Sequence, residues 1–83
     1  MYFVYILLST IAKKTYVGIT DDLKRRLKQH NLGYHFYTKR YKPWKIVFSE
    51  KYIDRNAARV REKYLKSAAG RRWMNKYFIS NNI

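Results

Sequence analysis

Five side chains in this sequence have the types and spacing for work on a phosphate ester. They are the phenols of Tyr5 and Tyr16, the guanidinium of Arg26, the imidazole of His30 and the carboxylate of Glu62. An arginine held against a folded body can be aimed at a phosphate. A carboxylate can seat a divalent cation. Together they form the inventory for metal-assisted phosphodiester cleavage. Each also has a plainer explanation. The tyrosines could be core residues with satisfied hydroxyls, and Arg26 could snorkel from the core edge beside a neutral, packed His30. Glu62 could form an ordinary i,i+4 pair with Lys66, worth about 0.3–0.5 kcal/mol. Glu62 still stands apart among the five carboxylates. Asp21 and Asp22 open a predicted helix, Asp54 caps another and Glu50 ends a strand, so Glu62 alone lies inside a helix. A protein that holds phosphates gains little from a carboxylate beside them unless it binds a cation.

The elements that must position these groups follow from periodicity and punctuation. Residues 2–8 form a short continuous apolar run, which predicts a buried strand, and residues 15–19 predict a second one across a hairpin loop. Thr20-Asp21-Asp22 supplies a helix start, Leu23 and Leu27 an apolar stripe, and Asn31-Leu32-Gly33 an end. On that helix Arg26 and His30 are neighbours one turn apart at the border of the stripe, whereas Arg25 and Lys28 face away. Residues 34–44 follow neither period and are long for an idle loop. Residues 45–52 predict a third strand. Asp54 caps a second helix running to about residue 69, Gly70 breaks it, and residues 71–79 form a short third helix. Glu62 then borders the packed face defined by Ala58 and Leu65. The order is β-β-α-β-α-α, an α+β fold.

Eighty-three residues allow one small domain, expected to span residues 1–83 with a frayed tail at about 80–83. Nineteen Lys and Arg against five Asp and Glu give a formal charge of +14. With 47% hydrophobic residues the chain has enough apolar material for a core, which excludes a disordered basic tail. Such a charge repels itself until a polyanion neutralises it, and nucleic acid is the leading candidate. Nine tyrosines add rings that can stack on bases. The absence of cysteine excludes disulfides, thiol nucleophiles and Cys-containing metal sites. The opening apolar run is too short for a secretory signal or a membrane span, so a cytoplasmic protein without a membrane partner is expected.

Four segments in order resemble the GIY-YIG nuclease domain. They are Phe3-Val4-Tyr5, with Phe for the glycine of the name, and Tyr16-Val17-Gly18, with valine for isoleucine. Residues 22–31 resemble the arginine helix of that family and residues 58–66 its glutamate helix. The resemblance spans residues 2–78 and is closest to small stand-alone bacterial members. These are related to the N-terminal nuclease domain of an excision-repair nuclease and to GIY-YIG homing endonucleases. It implies a three-stranded antiparallel sheet flanked by three helices, with the active site on one sheet face. By the same resemblance Tyr5 and Tyr16 share the roles of general base and water-orienting group. Arg26 binds the scissile phosphate, His30 assists the nucleophile or leaving group, and Glu62 holds one Mg²⁺ or Mn²⁺. Gly18 lets backbone and substrate approach, and Asn75 is a candidate for the asparagine that the family often carries.

The expected function is a divalent-metal-dependent endonuclease acting on DNA, in repair or in processing of structured DNA. RNA is a weaker option as substrate. The rival reading is a nucleic-acid-binding module that retains the fold without cleavage. Lys39, Arg40 and Lys42, with Tyr37 or Trp44 as stacking platforms, are expected to grip the strand; the alternative is that these rings simply cover the sheet edge. A protein partner could supply specificity.

Overall fold

The computed structural model describes residues 1–79, so the tail expected to fray at 80–83 lies outside the described residues. Three strands, β1 (Tyr2–Ser9), β2 (Thr15–Thr20) and β3 (Trp44–Tyr52), form an antiparallel sheet in the order β2-β1-β3. The helices are α1 (Leu23–Asn31), a four-residue α2 (Phe36–Lys39), α3 (Arg55–Leu65) and α4 (Ala68–Met74). A π-helical turn, Asn75–Ile79, continues α4.

β1 lies in the middle of the sheet with both faces covered, which is why its sequence is apolar without alternation. Val4 and Ile6 point to one face, where they pack with Val17, Ala58, Leu65 and Met74 under α3 and α4. Tyr5 and Leu7 point to the other, where they meet Trp44, Tyr16, Ile46 and the Leu23–Leu27 stripe of α1. A bulge lets β3 serve both layers. Ile6 pairs with Phe48 but Leu7 pairs with Ile46, so Val47 is the extra residue, and it joins Phe48 against the α3 face.

The caps match the expected signals. The Asp22 carboxylate accepts from the Arg25 amide, and the Asp54 carboxylate accepts from the Asn56 amide. Gly33, just past α1, has φ +85, a conformation that favours glycine. The expected helix break at Gly70 is corrected. The chain leaves α3 at Lys66, and the Ser67 hydroxyl caps a new helix in which Gly70 is an interior residue. Gly70 is there for space: a Cβ would collide with the Tyr64 carbonyl oxygen and come within 2.5 Å of Leu65 backbone atoms.

The aperiodic segment 34–44 is ordered by specific bonds. Asn31 clamps the Trp44 backbone at two points, its Oδ1 accepting from the amide at 2.6 Å and its Nδ2 donating to the carbonyl at 3.1 Å. The Ser9 hydroxyl donates to the Tyr41 carbonyl, and the Thr10 amide to that of Pro43. The segment carries α2 and a cis Lys42–Pro43 bond.

Candidate active site

The face of the sheet beneath α1 and α2 gathers four of the five expected groups. Tyr5 is opposite Gly18 in the β1–β2 register, and Tyr16 lies two residues away on the same face. Their ring centroids are 6.4 Å apart. Gly18 was expected to admit substrate; instead its missing side chain admits Tyr5. A Cβ there would stand 2.5 Å from Tyr5 Oη and 2.7 Å from Cζ. With that room the phenol reaches His30, whose Nε2 lies 2.9 Å from Tyr5 Oη.

His30 in turn contacts Thr38 through Nδ1, 2.8 Å from the threonine hydroxyl. That hydroxyl donates to the His35 carbonyl at 3.4 Å, leaving its lone pair for His30. One assignment satisfies every partner: Tyr5 donates to Nε2, His30 Nδ1–H donates to Thr38, and the imidazole is neutral. Electrostatics agree. Burial, helped by the nearby His35 and Arg26, pushes His30 down to about 4. Tyr5 is only 2% exposed, and burial is the main reason its phenol holds its proton far more tightly than usual. The Tyr16 and Glu62 charges add to that effect and the Arg26 charge opposes it.

Arg26 faces this cluster, as the helical spacing predicts, while Arg25 pairs on the surface with Asp21 at 2.6 Å. Arg26 Nη1 lies 3.4 Å from His35 Nε2, and the His35 ring centroid is 4.5 Å from that of His30. Among the described residues nothing accepts from the buried Nε–H of Arg26. An unpaired guanidinium N–H is costly unless a ligand completes it, and an oxyanion is its natural partner. His35 carries no periodic signal in the sequence because it precedes a helix of only four residues. Its proximity emerges from the fold alone.

Two expectations are altered by burial. His30 is 0% exposed and meets no solvent; its Nε2 is bonded to Tyr5 instead. Trp44 is 3% exposed, with its indole N–H donating to the Thr38 carbonyl at 2.7 Å; it is core, not a stacking platform. Lys39, Arg40 and Lys42 are exposed as expected. Lys39 Nζ and Arg40 Cζ lie 5.9 and 5.8 Å from the ring centroid of Phe36, which is 76% exposed. Tyr34, Phe36 and Tyr37 are the exposed rings of that segment.

Glu62 comes from α3, which packs on the opposite face, and one contact relates it to the cluster: its partner Lys66, at 3.1 Å, lines a groove with Tyr16. The plain Glu62–Lys66 pair is thus present. Worth about 0.3–0.5 kcal/mol, it is weak enough for a divalent cation to displace. No group of three His, Asp or Glu among the described residues could hold a metal ion. The donor set does not suit a cation caged by protein alone. It does suit Mg²⁺ held by one carboxylate together with water and substrate phosphate.

The groove, of about 450 Å³, runs along the free edge of β2 and is lined by Lys13, Lys14, Tyr16, Tyr37, Lys66 and Arg71 among others. Asn75 also borders it. The sequence alone does not reveal this basic groove because its walls come from the β1–β2 loop and α4, more than fifty residues apart.

A three-stranded sheet carrying two phenols, a buried-edge arginine and a helical glutamate is the architecture of a GIY-YIG nuclease. The profile of the GIY-YIG catalytic domain matches residues 1–77, and the chain belongs to that family. The UPF0213 protein CPE1444 of Clostridium perfringens is 37% identical over 67 residues, covering 80% of this chain and 71% of that protein. The UPF0213 protein YazA of Bacillus subtilis is 38% identical over 52 residues, covering 61% of this chain and 52% of that protein. No solved structure matches the chain significantly. The family is one of nucleases that generally use divalent metals, so a nucleic-acid substrate follows from membership. No helix among the described residues is long and apolar enough to cross a membrane.

Proposed function

We propose that this chain is a divalent-cation-dependent endonuclease that hydrolyses DNA phosphodiester bonds, acting on nicked, branched or damaged DNA. The observation that carries this reading is the buried, unpartnered Nε–H of Arg26 beside Tyr5, Tyr16 and His30. In hydrolysis water attacks phosphorus, the bond to the leaving sugar oxygen breaks, and the phosphoryl oxygens gain negative charge. Arg26 donates to those oxygens, the role in which one well-placed donor is worth about 10²–10³ in rate. Tyr16 is half-exposed and borders the groove, so it is the side chain that meets the attacking water; as its phenolate it takes the water's proton, and the leaving sugar oxygen is protonated from solvent. Tyr5 keeps its own proton; held by His30, it positions rather than abstracts. Glu62 would hold Mg²⁺ or Mn²⁺, which supplies Lewis-acid polarisation of the phosphate.

The rival reading, a binding module without cleavage, draws support from Lys66, which occupies the Glu62 carboxylate. Nicking of supercoiled plasmid separates the two. The natural protein should nick with Mg²⁺ or Mn²⁺ and stop in chelator. Glu62→Gln should lose nicking yet bind DNA at least as well, because a repulsive charge is gone. Binding without any nicking by the natural protein would favour the module, and undiminished nicking by Glu62→Gln would remove the carboxylate from the mechanism.

A further inference from the structure

We infer that the basic groove on the free edge of β2 is a binding track for a single-stranded nucleic-acid segment adjoining the phosphate handled at Arg26 and Tyr16. This rests on the nuclease reading and narrows its substrate to one with an unpaired strand beside the cut. Lys13 and Lys14 line one side of the groove, Lys66 and Arg71 the other, and no acidic residue lines it among those described. Four cations lining one concave slot, of which only Lys66 has an ion-pair partner among the described residues, make a seat for a chain of phosphates.

Tyr16 belongs to both places. Its ring centroid is 4.9 Å from that of His30 in the catalytic cluster and 6.2 Å from that of Tyr37, at 29° between planes, in the groove. The groove therefore opens onto the cluster through Tyr16, and the exposed ring of Tyr37 stands where a base can stack on it. Only an unpaired strand can lay the face of a base on such a ring. A duplex keeps its base faces stacked inside and shows only backbone and base edges. Lys66 links the two regions from the other side: it lines the groove while its Nζ lies 3.1 Å from the Glu62 carboxylate.

The test measures binding of the full chain in chelator, so that cleavage plays no part. Lys13→Gln/Lys14→Gln is compared with Lys45→Gln/Lys51→Gln, which removes equal charge from β3 at the far edge of the sheet. The probes are a labelled oligothymidylate, a duplex of the same length and a polyglutamate peptide, the last standing for an acidic strand that could pair with the β2 edge. The groove pair should weaken oligothymidylate about tenfold or more and reduce its log–log salt slope by about 0.7 per lysine. The β3 pair should change it less than about threefold. Arg71→Gln, on the opposite wall, should reproduce the single-strand loss. Equal losses from both lysine pairs would overturn the inference, as would a larger loss for the duplex or the peptide than for oligothymidylate. Because no cation is present, a failed plasmid assay would leave a positive binding result standing, and the two proposals can fail separately.

Discussion

Lowering the pH should destabilise this protein through His30. The imidazole is fully buried, neutral, and bonded on both nitrogens, with its proton affinity reduced to about 4 in the folded state against the ordinary value of about 6.5. The unfolded chain therefore takes up a proton that the folded chain refuses. The stability contribution is fully present above about pH 6.5 and is lost as pH falls from there toward about 4. Between pH 7.5 and pH 5 linkage gives a loss of ~2 kcal/mol, equivalent to a fall in Tm of roughly 10 °C for a domain of this size. Asp21, whose carboxyl is held low by Arg25, loses its own contribution only below about pH 4, outside this window. Thermal melts at the two pH values measure the fall directly. In His30→Gln most of it should vanish, even though the variant is less stable at pH 7.5. A His30→Gln protein with the same acid sensitivity as the natural one would refute the reasoning.

Two further perturbations probe the same cluster. Gly18→Ala should cost about 1–3 kcal/mol by urea denaturation, because its methyl group would stand 2.5 Å from a Tyr5 hydroxyl that is packed and bonded to His30; a change below about 0.5 kcal/mol would mean that the ring moves freely. Ultraviolet titration of the folded protein should show delayed ionisation from two tyrosines, Tyr5 held protonated by burial and Tyr52 by burial and its bond to Glu50, and Tyr5→Phe should shorten the lag without abolishing it. The raised proton affinity of Tyr5 stabilises the fold below about pH 10 and is lost as pH rises above it.

Much of this architecture is written locally in the chain. The apolar run of β1, the Asp22 and Asp54 caps, and the stripe of Leu23 and Leu27 each specify an element through interactions within a few residues. The helical spacing alone places Arg26 and His30 together at the core edge. What escapes local reading depends on packing between distant segments. Gly70 reads as a helix breaker by propensity, but the break is made by the Ser67 cap, and the glycine serves the approach of two helices. Trp44 and Phe36 look alike in a basic aromatic segment. Only the clamp from Asn31 and the bond to Thr38 decide which is buried. Gly18 looks like an opening for substrate until the β1–β2 register puts Tyr5 into it. His35 and the walls of the basic groove have no periodic signature at all.

The most direct measurement is the single-turnover rate at which excess protein cleaves a DNA phosphodiester bond, compared between the natural chain and Arg26→Ala purified identically. With the guanidinium as the principal donor to the reacting phosphate, the variant should remain folded and lose at least about 100-fold in rate. Matching rates would mean that the bond is broken elsewhere, and the cluster around Tyr16 would be scaffold.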